Sequence, residues 1–189
     1  RVSPGEKVRI PPFGEVPAQI INIYPFGNVV APEDEKADTP PNTRDIDKIR
    51  GIMEYQFGSG AGDLIPEGVR IKKSRKTGRI RWIYRKKELI ASVRATDHFI
   101  IPKDYLAKRL HEKFSYPDLR VAVDDEAKPF ILEGKSVFCK FVQDIDPDLR
   151  AGDEVLVVDK EDGLLGVGTL FLSPAEVRDF DRGMAARMR

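Results

Sequence analysis

Apolar residues recur with two periods along the chain. Ile46, Ile49, Ile52 and Met53 fall three to four apart and predict a helix over Asp45 to Met53. Tyr55-Gln56-Phe57-Gly58, with Gly60-Ala61-Gly62-Asp63-Leu64, continues that helix or opens another. The period then shortens. Val69 to Lys73, Arg79 to Tyr84 and Glu88 to Arg94 read as strands, with Ser74 to Gly78 as a hairpin loop and Arg85-Lys86-Lys87 as the next turn. Phe99 to Pro102 is a last short strand, and Tyr105, Leu106, Leu110 and Phe114 give a closing helix that stops before Pro117. Beyond it lie a strand at Val121 and Val123, a short helix over Glu126 to Leu132 and a strand over Val137 to Val142. Asp146-Pro147 and Ala151-Gly152-Asp153 then turn the chain into a strand over Glu154 to Val158. Leu164 to Gly168 leads into a strand over Thr169 to Leu172, a helix started by Ser173-Pro174, and a closing tail from Arg182 to Arg189. The opening is less periodic. Lys7 to Ile10 fits a short strand, and Ala18 to Ile23 fits one helical turn or a strand. Pro11-Pro12-Phe13-Gly14 and Tyr24-Pro25-Phe26-Gly27 fit turns that bury an aromatic, and 32–43 fits an acidic loop. No internal repeat is visible.

Composition narrows the class. With 41% hydrophobic and 33% charged residues among 189, the chain can build real cores in one large or two to three small domains. No apolar run approaches the ~18 residues of a membrane span, so no membrane and a cytoplasmic location are expected. The start, RVSPGEKVRI, has no apolar signal core and does not open on Met, so a fragment, a processed form or a truncated chain is expected. Cys139 stands alone in an apolar strand, where a buried small residue fits and a reducing compartment is implied. With His98 and His111 it makes no zinc set, and neither metal nor cofactor is expected. Asp97-His98, His111-Glu112 and Asp124-Asp125-Glu126 have no nucleophile or ligand spacing and read as structural, so no catalytic residue is assigned.

Charge is what points to function. The net charge is +1, yet 70–94 holds eleven Lys and Arg against the single acid Glu88, whereas 119–189 holds ten bases and fifteen acids. On an alternating ribbon Lys72, Lys73, Arg79 and Arg81, with Arg75 and Lys76 in the loop, can meet several phosphates at once. Trp82 or Tyr84 could stack on an unpaired base, but a core position is the favoured expectation for Trp82. Nucleic acid is the favoured partner of the cluster as a whole.

The order of pieces from Arg120 onward, including Gly134-Lys135-Ser136 and Gly152-Asp153-Glu154-Val155, resembles a PUA domain, a small RNA-binding β-barrel. Gly-Lys-Ser is not a phosphate-binding loop here, because Pro129 stands where that motif needs its first glycine. Further motifs extend the resemblance along nearly all of the chain: Pro11 to Pro17, Tyr24 to Gly27, Glu54 to Gly58 with Gly60-Ala61-Gly62, Ser74 to Arg81, and Val93 to Asp97. The whole is similar to the C-terminal part of the archaeal tRNA-guanine transglycosylase that initiates archaeosine formation, with the related archaeosine synthase as the other branch. The resemblance implies an α+β architecture: an irregular segment 1–50 leading to a catalytic part, a small mixed α/β basic domain over 51–118, and a PUA-type barrel over 119–189. It implies tRNA as partner, gripped so that a D-loop guanine is exposed for exchange with a 7-deazaguanine base. It places Gly134, Lys135, Ser136, Phe138 and Lys140 at the PUA groove. In that family an N-terminal barrel carries catalytic aspartates and zinc cysteines. Neither is found here, so a separate or missing transglycosylase half is the second expected partner, and enzymatic activity of this chain alone is left open. His98 follows Asp97 where the family has glycine. A free-standing PUA-domain or ribosome-associated RNA-binding factor is the alternative. A protein-docking module using the acidic 119–189 face is a third.

Overall fold

The structure is a computed structural model that describes residues 42–189 and two strands of the opening segment. Those strands, β1 (Lys7–Ile10) and β2 (Gly14–Pro17), pair antiparallel with Lys7 opposite Pro17. The sequence reading has β1 but not β2. The aromatics Phe13, Tyr24 and Phe26, the 18–23 segment and the acidic loop up to residue 41 lie outside the described residues.

Helix α1 (Thr43–Phe57) starts where Asn42 accepts the Asp45 amide on its side chain at 2.8 Å, and stops at Gly58, whose φ of +102° a side chain would resist. It therefore runs past Met53 through Tyr55-Gln56-Phe57, and crosses the 50/51 boundary drawn from sequence. After a 3-10 turn at Gly62–Leu64 come β3 (Arg70–Lys73), β4 (Ile80–Arg85), β5 (Glu88–Val93) and β6 (Ile100–Pro102), then α2 (Asp104–Lys113). The strands form one antiparallel sheet in sequential order. Ile71, Ile83, Ile90 and Ile100 meet Ile49 and Met53 of α1 and Leu106 and Leu110 of α2 in its core.

The second half is a rolled sheet. Its elements are β7 (Arg120–Val123), α3 (Lys128–Leu132), β8 (Val137–Phe138), β9 (Val142–Ile145), β10 (Glu154–Val158), β11 (Leu164–Leu170), α4 (Pro174–Asp179) and β12 (Met184–Met188). The sheet order is β8-β12-β11-β10-β7-β9, with β7 and β10 parallel. The edge strands β8 and β9 are joined by only the 3-10 turn Cys139–Phe141. Six flat strands would hold their edges about 24 Å apart, while the four Cα steps from Phe138 to Val142 reach about 15 Å at most. The sheet must curl, giving an open, barrel-like fold. This also breaks the continuous strand expected over Val137 to Val142, since the chain has to cross from one edge to the other. The strand expected at 169–172 begins earlier, at Leu164, and runs through Gly168, where a Cβ would come within 3.1 Å of the Arg187 carbonyl on β12. The tail forms that last strand, which the sequence reading does not assign.

The two halves are fastened together. Leu119, Leu156 and Val167 belong to the same buried cluster as the first sheet and its helices. Arg120, 1% exposed, donates to the carbonyls of His111 at 2.8 Å and Asp118 at 2.7 Å, and to the Asp162 carboxylate at 3.2 Å.

Candidate nucleic-acid interface

The basic hairpin is built by parity. Ile71 on β3 pairs with Ile83 on β4, both are buried, and the intervening positions must face the other way. That outer face carries Lys72 opposite Trp82 and Arg70 opposite Tyr84, with the Lys72 ammonium 5.4 Å from the Tyr84 ring. Trp82 is half-buried there and lies outside both core clusters, so the core position expected for it is corrected. The physical reason is register: Ile83, not Trp82, stands opposite Ile71. Arg81 is half-buried, with its guanidinium 5.9 Å from the Trp82 ring. Arg85 turns away and lies 4.5 Å over Tyr105 of α2.

The hairpin tip is a six-residue turn. Ser74 and Arg79 close it through a 2.8 Å bond from the Ser74 amide to the Arg79 carbonyl, and Gly78 takes φ +67°. Arg75, Lys76 and Arg79 stand exposed on it. The β5–β6 turn repeats this geometry: the Arg94 amide reaches the Phe99 carbonyl at 2.8 Å, and His98 takes φ +68°. Both turns sit at the same end of the sheet, beside the start of α1. There Lys73 pairs with Asp45 at 2.6 Å. Lys48, Lys73, Arg79 and His98 rim a cleft of about 420 Å³ floored by Ile52 and Ile80. Sequence reasoning found Lys73 and Arg79 but missed Lys48 and Ile52, because nothing local in α1 announces a neighbour in the hairpin. Lys72 lies on the outer face and is not brought to the cleft.

The second predicted group lies on the rolled sheet. Gly134, at φ +79°, ends α3: its amide bonds Ile131 at 2.8 Å, and the Lys135 amide bonds Phe130 at 3.0 Å. This hooks the chain so that Lys135, Ser136, Phe138 and Lys140 line a groove of about 410 Å³ with Phe130 and Phe141. Gly134 shapes the hook and does not line the groove. Phe130 and Phe138 are about half exposed, at 49% and 48%. The Lys135 ammonium sits 5.2 Å over Phe130 while pairing with Glu133 at 2.8 Å, and Lys140 lies 4.3 Å over Phe141. Aromatic faces flanked by ammonium groups suit a base with its phosphate. Cys139 behind them is buried, as expected, and burial pushes its thiol up.

A buried charge cluster joins the two regions. The Glu154 carboxylate accepts Arg189 at 3.1 Å and Thr169 at 3.0 Å, and pairs with Arg94 at 3.3 Å. Burial nonetheless pushes Glu154 up, against the pull of both guanidiniums. Its second oxygen has no hydrogen-bond partner among the described residues.

Residues 47–117 match the family profile of the patch-forming domain C2 of tRNA-guanine transglycosylase, and 119–189 match the PUA domain. A tRNA-guanine(15) transglycosylase of Methanobrevibacter smithii is 50% identical over 146 residues, covering 77% of this chain and 22% of the relative. The one from Thermococcus kodakarensis is 39% identical over 184 residues, covering 97% of this chain and 32% of the relative. The chain thus spans about a third or less of the length of these relatives. Among solved structures, a hypothetical protein of Pyrococcus horikoshii superposes with a TM-score of 0.63 at 22% identity, over 80% of this chain and 92% of that one. A PUA domain protein of Thermoplasma acidophilum gives 0.58 at 21% identity, over 81% and 92%. These two likenesses support the fold. No helix among the described residues is long and apolar enough to cross a membrane. Residues 47–117 and 119–189 therefore join a C2 domain of the tRNA-guanine transglycosylase kind to a PUA domain, and the chain is similar to the C-terminal region of the archaeal tRNA-guanine(15) transglycosylases.

Proposed function

We propose that this chain is the tRNA-gripping, non-catalytic part of a tRNA-guanine(15) transglycosylase. It positions tRNA for archaeosine formation while a catalytic half, in the same or a separate chain, exchanges the base in the cytoplasm. Residues 1–50 form the seam to that half, 51–118 the basic tRNA-binding domain and 119–189 the PUA domain, with the 43–50 part of α1 packed into the middle domain. Lys72, Lys73, Arg75, Lys76, Arg79 and Arg81 meet the phosphate backbone. Lys135, Ser136, Phe138 and Lys140, set by the turn at Gly134, take the 3′ end. The observation that carries this reading is the exposed cation tip Arg75, Lys76 and Arg79, held rigid by the Ser74–Arg79 turn on a sheet packed against the PUA half.

The test is binding of unmodified tRNA, with and without its 3′-CCA end, across a salt series. Steep salt dependence is expected, with weaker binding when CCA is removed. Arg75, Lys76 and Arg79 changed together to Ala should lose on the order of tenfold or more and flatten the salt slope by up to three contacts. Unchanged affinity in that triple variant would remove the hairpin from the interface.

A further inference from the structure

We infer that α1 and the β5–β6 turn hold an unpaired stretch of RNA, with one base stacked on Tyr55 and Phe99 and its phosphates against Lys48, Lys73 and Arg79. The inference rests on the RNA-binding reading above and adds to it a second, base-stacking contact in the middle domain.

Tyr55 is the member of its segment that the fold does not use. Beside it, the Glu54 carboxylate accepts the amides of Gly60 at 2.9 Å and Gly62 at 2.8 Å. Gln56 exchanges two 2.8 Å bonds with Ile100, Phe57 is buried, and Gly58 ends the helix. Tyr55 instead projects outward at 77% exposure, the highest among the large hydrophobic side chains described. Its ring meets Phe99 with centroids 6.2 Å apart and planes tilted 57°. Phe99 is backed by the Arg94 guanidinium at 5.2 Å. Arg94 is itself fixed by Asp97 at 2.9 Å and the Gly152 carbonyl at 3.0 Å. Tyr55 is therefore exposed, and the half-buried Phe99 it rests on is held from behind by the fixed Arg94 guanidinium.

The pair continues the cleft. Lys48, Ile52 and Tyr55 are spaced four and three apart, on one face of α1, over roughly 10 Å of helix. Lys48 and Ile52 line the cleft, and His98 on its rim directly precedes Phe99. Asp45 is the one acid in that lining, and it is taken by Lys73 at 2.6 Å. Cations at one end and an aromatic face at the other match the two chemistries of a nucleotide. A duplex would offer the phosphates but keep its base faces covered, so the occupant is single-stranded.

The test uses the chain with a short single-stranded RNA carrying 2-aminopurine, and with the duplex of the same sequence. Binding of the single strand should quench the 2-aminopurine emission. Tyr55→Ala, a change at an exposed helix position, should remove that quench and weaken single-strand binding about tenfold while leaving duplex binding as it was. Tyr55→Trp should keep both quench and affinity. If the chain binds RNA but Tyr55→Ala keeps the quench and the affinity, the inference falls, the RNA-binding reading stands and the aromatic pair faces a protein. If the unaltered chain binds neither RNA, both fall together.

Discussion

His98 occupies a backbone position that suits glycine. At φ +68° it does in the β5–β6 turn what Gly78 does at +67° in the β3–β4 turn. A non-glycine residue there carries left-handed strain. His98→Gly should therefore stabilise the chain by about 0.5–1 kcal/mol, read as a rise of a few degrees in Tm. A fall would mean that the relief of strain is outweighed by the freedom glycine gains in the unfolded chain and by the loss of the imidazole at the cleft rim. Tyr116 makes a second residue-scale prediction. Its hydroxyl donates to the Asp144 carboxylate, and partial burial, then this bond, push its pKa up to about 12. The folded pKa exceeds the unfolded value near 10, so the stability from this pair is complete below pH 10 and is lost as pH rises toward 12. Absorbance titration of the folded chain should show a late tyrosinate step at about pH 12. Tyr116→Phe should lack it.

Elements stand or fall by their edges. Among the described residues β6 pairs only with β5, and its other side would leave Ile100 with an open amide and carbonyl. The Gln56 side chain closes both, accepting from one and donating to the other. Gln56→Leu keeps a helix-compatible side chain but strands both groups, at a cost of about 1–3 kcal/mol, visible as a lower urea midpoint and faster hydrogen exchange at Ile100. Gln56→Glu should fall between, because a carboxylate accepts from the amide but cannot donate to the carbonyl. Elements with a strong local period were legible in the sequence: α1, the four strands of the first sheet, α2 and β10 form where their spacing assigns them, although Ile46, Ile52, Ile80 and Tyr105 are only partly buried. The break at Cys139–Phe141 was not, because it comes from the roll of the whole sheet. Nor was β12, whose Met-Ala-Ala-Arg-Met shows no β-former pattern, although Ala185 and Ala186 are fully buried. The exposed cations of the hairpin tip were readable from charge and turn chemistry. The face taken by Trp82, and the approach of Lys48 to the hairpin, depended on register and on helix placement.

On the scale of the whole molecule, what matters for the proposed tRNA-gripping role is whether the two halves of 42–189 move as one. The structure gives three independent fastenings: the shared apolar cluster through Leu119, Leu156 and Val167, the Arg94–Glu154–Arg189 group, and Arg120. Two grooves on a rigid frame select a ligand by the distance between two features, whereas a hinge would let each groove bind alone. Arg120 is the sharpest place to ask. It lies on β7 of the PUA half, yet it satisfies the His111 carbonyl at the end of α2 at 2.8 Å and holds Asp162, which also lies 3.2 Å from the His111 ring. Arg120→Ala strips those partners at once and leaves a half-buried carboxylate with less compensation. The expected loss is about 3–5 kcal/mol. The chain has one tryptophan, Trp82, and it reports on the other half. If the halves form one cooperative unit, Arg120→Ala should lower the Trp82 fluorescence transition and the circular dichroism transition by the same amount, with the two curves superimposed. A Trp82 transition that stays in place while the dichroism splits into two steps would show independent halves, and a fixed spacing between the hairpin cleft and the PUA groove would then drop out of the proposed tRNA recognition.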